Sequence, residues 1–300
     1  MRRIIVFVSV PVIIIMLIIL ALFLAAFVMT GRRQNLEEAL AWQSARYDTS
    51  FYEIIEKDDY VVESYDGYEL HVEYLKNPKE TDKYMILSHG YTDNRIGALK
   101  YVPMYLELGY NCVIYDLRGH GENNETFTTY GIREGKDLYE LVKDTRERYV
   151  NISQLGLHGE SLGAATTITS LKYKPQVDFV VADCGFSDIE NVLRKAFKAA
   201  NVPSLAVDIA DIGARLRYHY SLKKMNPIES LDDNTIPILF IHGKDDDFIA
   251  PKNSQDMADR TKGYSEIHLI EGAGHAESML KEPEIYKEYV EKFLENIEMK

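Results

Sequence analysis

The first thirty residues read differently from all that follow. From Ile4 to Val28 the chain is apolar apart from Ser9 and Pro11, with Arg2 and Arg3 before the run and Arg32 and Arg33 after it. About 20 apolar residues in a helix cross a bilayer, so this run is long enough, with some tilt. Pro11 lies in its first third, where it can kink the helix without preventing insertion. Cleaved signal peptides have apolar cores of about 7–15 residues ending at a small-residue site. This run is longer, and Ala25-Ala26-Phe27-Val28-Met29-Thr30 offers no clean site. The pattern therefore predicts an uncleaved anchor over residues 1–33. Arginine pairs on both flanks barely discriminate orientation. The short N-terminal tail and the large domain behind it favour a signal-anchor, with that domain on the extracytoplasmic side of the cell membrane.

Beyond the anchor, Gln34–Tyr47 predicts a polar helix with a narrow stripe of Leu36, Ala39 and Leu40 and with Trp42 near the interface, in a linker spanning 34–59. From residue 60 the pattern becomes regular. Tyr60–Tyr65 and Tyr68–Leu75 flank Asp66-Gly67, a hairpin signature. Short apolar runs then alternate with helical periodicity. Strands are expected at Tyr84–Ser88, Asn111–Tyr115, Gln154–His158, Val177–Asp183, Ile236–His242 and Ser265–Ile270. Helices are expected at Ala98–Leu108, Arg133–Tyr149, Leu162–Leu171, Lys252–Lys262 and Pro283–Ile297. Such alternation implies an α/β domain over 60–300: a mainly parallel, eight-stranded sheet with helices on both faces. One stretch interrupts it. Between Asp183 and Ile236 only helical signals occur, at Ile189–Ala200 and Ser204–Tyr220, predicting a small helical cap inserted at about 186–235.

Charge narrows the partners. The chain carries a formal −13; the first 33 residues hold four Arg and no acid, so the remainder carries 30 positive and 47 negative groups, or −17. A domain that acidic is a poor partner for nucleic acid or anionic headgroups. The two cysteines, Cys112 and Cys184, fall in apolar strand-like runs and read as buried thiols. No Cys/His spacing suggests zinc, and Asp245-Asp246-Asp247 lacks the spaced ligands of a calcium loop. No phosphate loop or dinucleotide fingerprint occurs, so no cofactor or metal is expected.

The sharpest local signal is Gly159-Glu160-Ser161-Leu162-Gly163, a G-x-S-x-G pattern between a predicted strand and a predicted helix. Chain crowding at such a turn leaves no room for side chains at the glycines, and the serine hydroxyl is presented above the sheet. A serine needs a base. His275, in Glu271-Gly272-Ala273-Gly274-His275 after the last predicted strand, can swing over the sheet. The base needs an acid to fix its tautomer, and His242-Gly243-Lys244-Asp245-Asp246-Asp247 offers three. Backbone donors for a developing oxyanion are expected from Leu162, after the nucleophile, and from Tyr91, in the loop His89-Gly90-Tyr91.

Taken together with Asp116-Leu117-Arg118-Gly119-His120-Gly121, these motifs resemble, in order, the α/β-hydrolase superfamily. More narrowly, the chain is similar to bacterial single-span hydrolases related to the serine aminopeptidase and prolyl oligopeptidase branches, from about residue 60 to the end. In that family the acid stands four residues after the strand-end histidine, which selects Asp246 over Asp245 and Asp247; the family's Val-Pro appears here as Ile249-Ala250-Pro251. The resemblance makes His120 structural and implies a Ser161-Asp246-His275 triad working through an acyl-enzyme. A small carboxylic ester or related acyl compound is the first expected substrate and a short peptide the second, its amine held by carboxylates such as Asp188 or Glu190. A surface binding protein on an inactive scaffold is the third reading. His89, His158 and His242 read as buried structural histidines, and Asp183 and Asp188 as lesser candidates for the acid.

Overall fold

The computed structural model describes residues 2–31 and 33–299. Eight strands form one sheet: β1 (Lys57–Glu63), β2 (Glu69–Leu75), β3 (Lys83–Ser88), β4 (Tyr110–Tyr115), β5 (Gln154–Glu160), β6 (Phe179–Asp183), β7 (Ile238–Gly243) and β8 (Ser265–Ile270). Their order is β1-β2-β4-β3-β5-β6-β7-β8. The hairpin β1–β2 and the β2–β4 pair are antiparallel, and every pairing from β4 to β8 is parallel. The central strands are buried throughout because both faces are covered, which is why they read as continuous apolar runs rather than alternating ones. The two faces still separate with a period of two. Ile86, Val113 and Val180 enter one core, while Met85, Leu87, Cys112, Ile114 and Val181 enter the other.

Eleven α-helices are described: α1 (Arg2–Met29), α2 (Leu36–Ser44), α3 (Phe51–Ile54), α4 (Val102–Glu107), α5 (Ile132–Arg148), α6 (Leu162–Ser170), α7 (Ile189–Ala199), α8 (Leu205–Tyr218), α9 (Lys252–Arg260), α10 (Ser278–Lys281) and α11 (Pro283–Glu298). Helices α5 and α6 cover one face through Leu138, Leu141, Val142 and Ile168. Helices α4 and α11 cover the other through Val102, Met104, Tyr286, Val290 and Phe293. The helices expected between β6 and β7 are α7 and α8.

Three features depart from the expected pattern. The helix expected at 98–108 is a 3-10 stretch, Arg95–Lys100, followed by the short α4. The first strand begins at Lys57, inside the segment expected as linker. Helix α2 packs on the domain rather than standing free: Ala39 is buried in the second core and Gln43 donates to Asp93 at 3.1 Å. Cys112 and Cys184 are both buried free thiols; Cys112 is on β4 and Cys184 just follows β6, with β3 and β5 between those strands.

Helix α1 is the element least like a tether. Val10–Met29 is long and apolar enough to cross a membrane, and Val10–Leu20 is exposed on every side. Its last turns are part of the fold. Ala21, Ala25, Val28 and Met29, one stripe at helical spacing, are buried, and a Cβ added at Gly213 of α8 would overlap the Ala21 carbonyl.

Candidate active site

Ser161 occupies the turn between β5 and α6 with φ 53°, a left-handed conformation that costs a non-glycine residue energy and persists only where the surroundings enforce it. Crowding enforces it here. A Cβ on Gly159 would overlap the Gly163 carbonyl, and one on Gly163 would overlap Ser88 O. The Ser161 N–H donates to Asp183 O at 2.9 Å, tying the turn to β6. Ser161 as a whole is buried, 8% exposed.

His275 lies in the loop after β8, where positive φ at Gly272 and Ala276 lets the chain curl back over the sheet edge. Its Nε2 is 3.0 Å from Ser161 Oγ and its Nδ1 2.7 Å from Asp246 Oδ2. With Nδ1–H donating to the carboxylate, Nε2 is free to accept the serine proton. Asp246 is buried while Asp245 and Asp247 are exposed. Its Oδ1 accepts from the N–H groups of Phe248 at 3.0 Å and Ile249 at 2.8 Å. Burial alone would raise its pKa. The hydrogen bonds from His242 and His275 and the Ile249 N–H outweigh burial and hold it well below the usual carboxylate range. Asp183 and Asp188 stand elsewhere. Asp183 is buried behind the turn, and Asp188 caps α7, accepting from Glu190 N at 2.8 Å.

The loop expected to supply the second oxyanion donor lies beside the serine: a Cβ placed on Gly90 would come 3.8 Å from Ser161 Cβ. Leu162 is buried at the first position of α6. The Tyr91 hydroxyl faces α1, 3.4 Å from Val28 O, and the buried Tyr130 hydroxyl donates to the same carbonyl. The end of α1 thus forms part of the wall behind Tyr91. The phenyl edge of Phe248 meets His275 at 5.1 Å between centroids.

Sequence reasoning missed the layer supporting these groups. His242 touches the acid itself: its Nε2 is 3.2 Å from Asp246 Oδ2 and 2.8 Å from Ile249 O, and its Nδ1 is 2.7 Å from Ser254 Oγ. Lys100 forms an ion pair with Glu160, next to the serine, and donates to Ala276 O, next to the histidine, at 3.2 Å. Burial disfavours its charge, but the Glu160 carboxylate more than offsets that and its pKa is raised. Tyr101 donates to Glu160 at 2.6 Å and Asp183 at 2.9 Å, and burial together with Glu160 pushes Asp183 up to about 6. Lys100 and Tyr101 lie far in the chain from Glu160, Asp183 and Ala276, so no local pattern signals those contacts.

The Asp116–Gly121 turn is a brace. Asp116 accepts from Arg95 N at 2.8 Å, Arg95 Nη1 at 2.6 Å and Glu122 N at 2.9 Å. The fully buried Arg118 bridges Asp137 at 2.5 Å and Asp66 at 2.8 Å. His89 stands between the turn and the site, its Nε2 accepting from Leu117 N at 2.9 Å.

A mostly parallel eight-stranded sheet with a serine on the turn after β5 defines an α/β hydrolase. The profile of the prolyl oligopeptidase family matches residues 98–297, and the chain belongs to that family. Protein YqkD of Bacillus subtilis is 33% identical over 250 residues, 82% of each chain. The human α/β hydrolase domain-containing protein 17C is 26% identical over 217 residues, 69% of this chain and 56% of that one. Among solved structures, the Pyrococcus furiosus esterase Pf2001 superposes with a TM-score of 0.70 at 23% identity, over 89% of this chain and 98% of that one, a likeness of fold.

Proposed function

We propose that this hydrolase is a membrane-anchored serine esterase, with Ser161 as nucleophile, His275 as base and Asp246 as the acid that orients it. The observation that carries the reading is the unbroken chain of contacts from Asp246 Oδ2 through the His275 ring to Ser161 Oγ, at 2.7 and 3.0 Å. His275 takes the hydroxyl proton as Ser161 attacks an acyl carbonyl, and the N–H groups of Leu162 and Tyr91 receive the negative charge that develops on oxygen. His275 then passes the proton to the leaving alcohol, and water releases the acyl group by the reverse sequence.

An aminopeptidase would need carboxylates free to hold the substrate amine. Asp188 is occupied as the cap of α7, and Glu190 is paired with Arg194 at 2.5 Å. Those commitments favour the ester. Burial of Ala21, Ala25, Val28 and Met29 in the domain supports retention of α1 as an anchor, with the catalytic domain on the extracytoplasmic side.

The test is the full chain in detergent with p-nitrophenyl esters of graded length and aminoacyl p-nitroanilides. Ser161→Ala is expected to lower ester cleavage by about 10³-fold or more and to abolish labelling by a fluorophosphonate. Undiminished cleavage by that variant overturns the assignment; serine-dependent anilide cleavage that requires a free amine moves it to a peptidase.

A further inference from the structure

Helix α8 carries two apolar faces. Val207, Ala210 and Ala214 point into the core. On the other side Leu205, Ile212 and Leu216 are exposed by 64%, 54% and 56%, with Ile209 between them on the same stripe by helical spacing. A surface helix ordinarily turns polar residues outward, so something must cover this second face.

Its position beside α1 identifies the cover. Gly213 abuts Ala21 and Ala25, and Arg217 with Tyr218 lines a groove with Thr30 and Gly31. These two contacts mean that α8 runs alongside α1 in the same direction, with its first turns pointing back toward the middle of the anchor. The length of the anchor then sets the depth. Even counted from Ile4, the stretch to Leu20 is 17 residues, about 25 Å of helix, short of the roughly 30 Å of hydrocarbon it must cross. The bilayer must therefore reach the turns that α8 packs against. Phe23 and Phe27, exposed by 64% and 67% on the far side of those turns, would otherwise stand in water.

Charge does not oppose it: residues 186–235 hold seven Lys or Arg and seven Asp or Glu, so this segment is neutral in a chain of −13. Arg217 follows the apolar stripe at the end of α8. Arg217 and Arg33 both line that groove of about 550 Å3, with Glu125 and Thr126. Arg194 is tied to Glu190 and Asp208 and Arg215 to Asp211, which leaves Arg217 as the arginine beside the end of α1.

We infer that α8 is a second membrane-contacting element, entering the adjacent leaflet of a phospholipid bilayer alongside α1, with Leu205, Ile212 and Leu216 toward the hydrocarbon and Arg217, at its end, toward the phosphates. This rests on α1 being a retained anchor. The end of α1 backs Tyr91 beside the buried Ser161, so the site stands next to this layer. The substrate class that follows is an acyl ester already dispersed in the membrane, delivered from the lipid side.

The experiment uses the full chain in phosphatidylcholine–phosphatidylglycerol vesicles. Both native cysteines are buried, so an environment-sensitive fluorophore can be attached selectively through Ile212→Cys, Ile18→Cys or Val150→Cys. Val150 is 78% exposed and precedes β5, at the end of the sheet away from Ser161. The labels at 212 and 18 are expected to be quenched by doxyl-lipid and shielded from iodide, and the label at 150 to behave oppositely. A label at 18 in lipid with one at 212 open to iodide overturns the position of α8 and leaves the anchor standing. A label at 18 in water overturns both. The paired substitutions Ile212→Asp and Leu216→Asp supply a readout free of labels. Cleavage of a short water-soluble ester should be retained while cleavage of a long-chain ester carried in the vesicles falls about tenfold. Equal rates on the vesicle-borne ester overturn the proposal.

Discussion

Ser161 is held by its neighbours in a conformation serine avoids, and the buried histidines around it are held in a protonation state histidine readily leaves. His89, His120 and His158 are all buried, and burial pushes their pKa values down to about 4, 3 and 3. His158 is the plainest case. Its Nδ1 is 2.8 Å from the Tyr105 hydroxyl, and burial, helped by the Lys100 charge, keeps the ring neutral. The unfolded chain takes up a proton here near pH 6.5, whereas the folded chain does not until about pH 3. The unfolded state therefore binds more protons through that window, and His158 makes the protein less stable as pH falls. The slope is about 1.4 kcal/mol per pH unit. His158→Phe removes this linkage. The variant is expected to be less stable than the parent at pH 7.5, having lost the Tyr105 contact. The deficit should shrink at about that slope between pH 6.5 and 4 in denaturant titrations. A deficit that stays constant with pH contradicts the assignment of His158 as a neutral buried ring.

Among the elements, the contact between α1 and α8 is the one whose failure has the widest effect. Gly213 is small for a steric reason, since any side chain meets the Ala21 carbonyl and Ala25. Gly213→Leu must push the helices apart, at a cost of about 1–3 kcal/mol, and should lower the thermal midpoint in detergent by several degrees. Ile212→Ala, next to it on the exposed side, should leave the midpoint nearly unchanged; equal effects of the two would refute close packing. This contact was not legible in the sequence, for a physical reason. A helix shows its buried face by contrast with polar positions, and the run from Ile4 to Val28 has almost none. Where contrast or local geometry existed, the reading succeeded. Six parallel strands declared themselves as short apolar runs, and β8 occupies the very residues expected. The contacts among Ser161, Asp246 and His275 were anticipated because each residue sits in a turn whose glycines or strand context mark it. The 95–107 stretch misled because its apolar residues suit a helix, although Tyr101 breaks it into a 3-10 turn and a short α4 with Pro103 in its first turn. Lys100 carried no signal, because what it supports is decided by tertiary contacts; His242 was read as a buried strand-end histidine, and only its contact with the Asp246 carboxylate was not foreseen.

For the whole molecule, the consequence is that α1 and the α/β domain are one folding unit. Val28 and Met29 are buried in the core shared with Tyr130, Leu162 and Phe186, and burial of such side chains is worth about 1.5–3 kcal/mol each. Removing residues 1–33 forfeits that burial, bares Gly213 and the side of α8 that packs on Ala21 and Ala25, and takes the Val28 carbonyl from the Tyr91 and Tyr130 hydroxyls. A fragment beginning at Gln34 is therefore expected to melt below the full chain when both are held in the same detergent, and to self-associate when the detergent is removed. Equal midpoints, with a monodisperse fragment in plain buffer, would reduce α1 to a tether. If the midpoint falls as expected, the fragment's ester kinetics describe a site whose wall behind Tyr91 is missing. The loop carrying one proposed oxyanion donor would then be less firmly placed. The loss should appear in kcat, because a donor aimed at the transition state contributes there more than to binding of the ground-state ester.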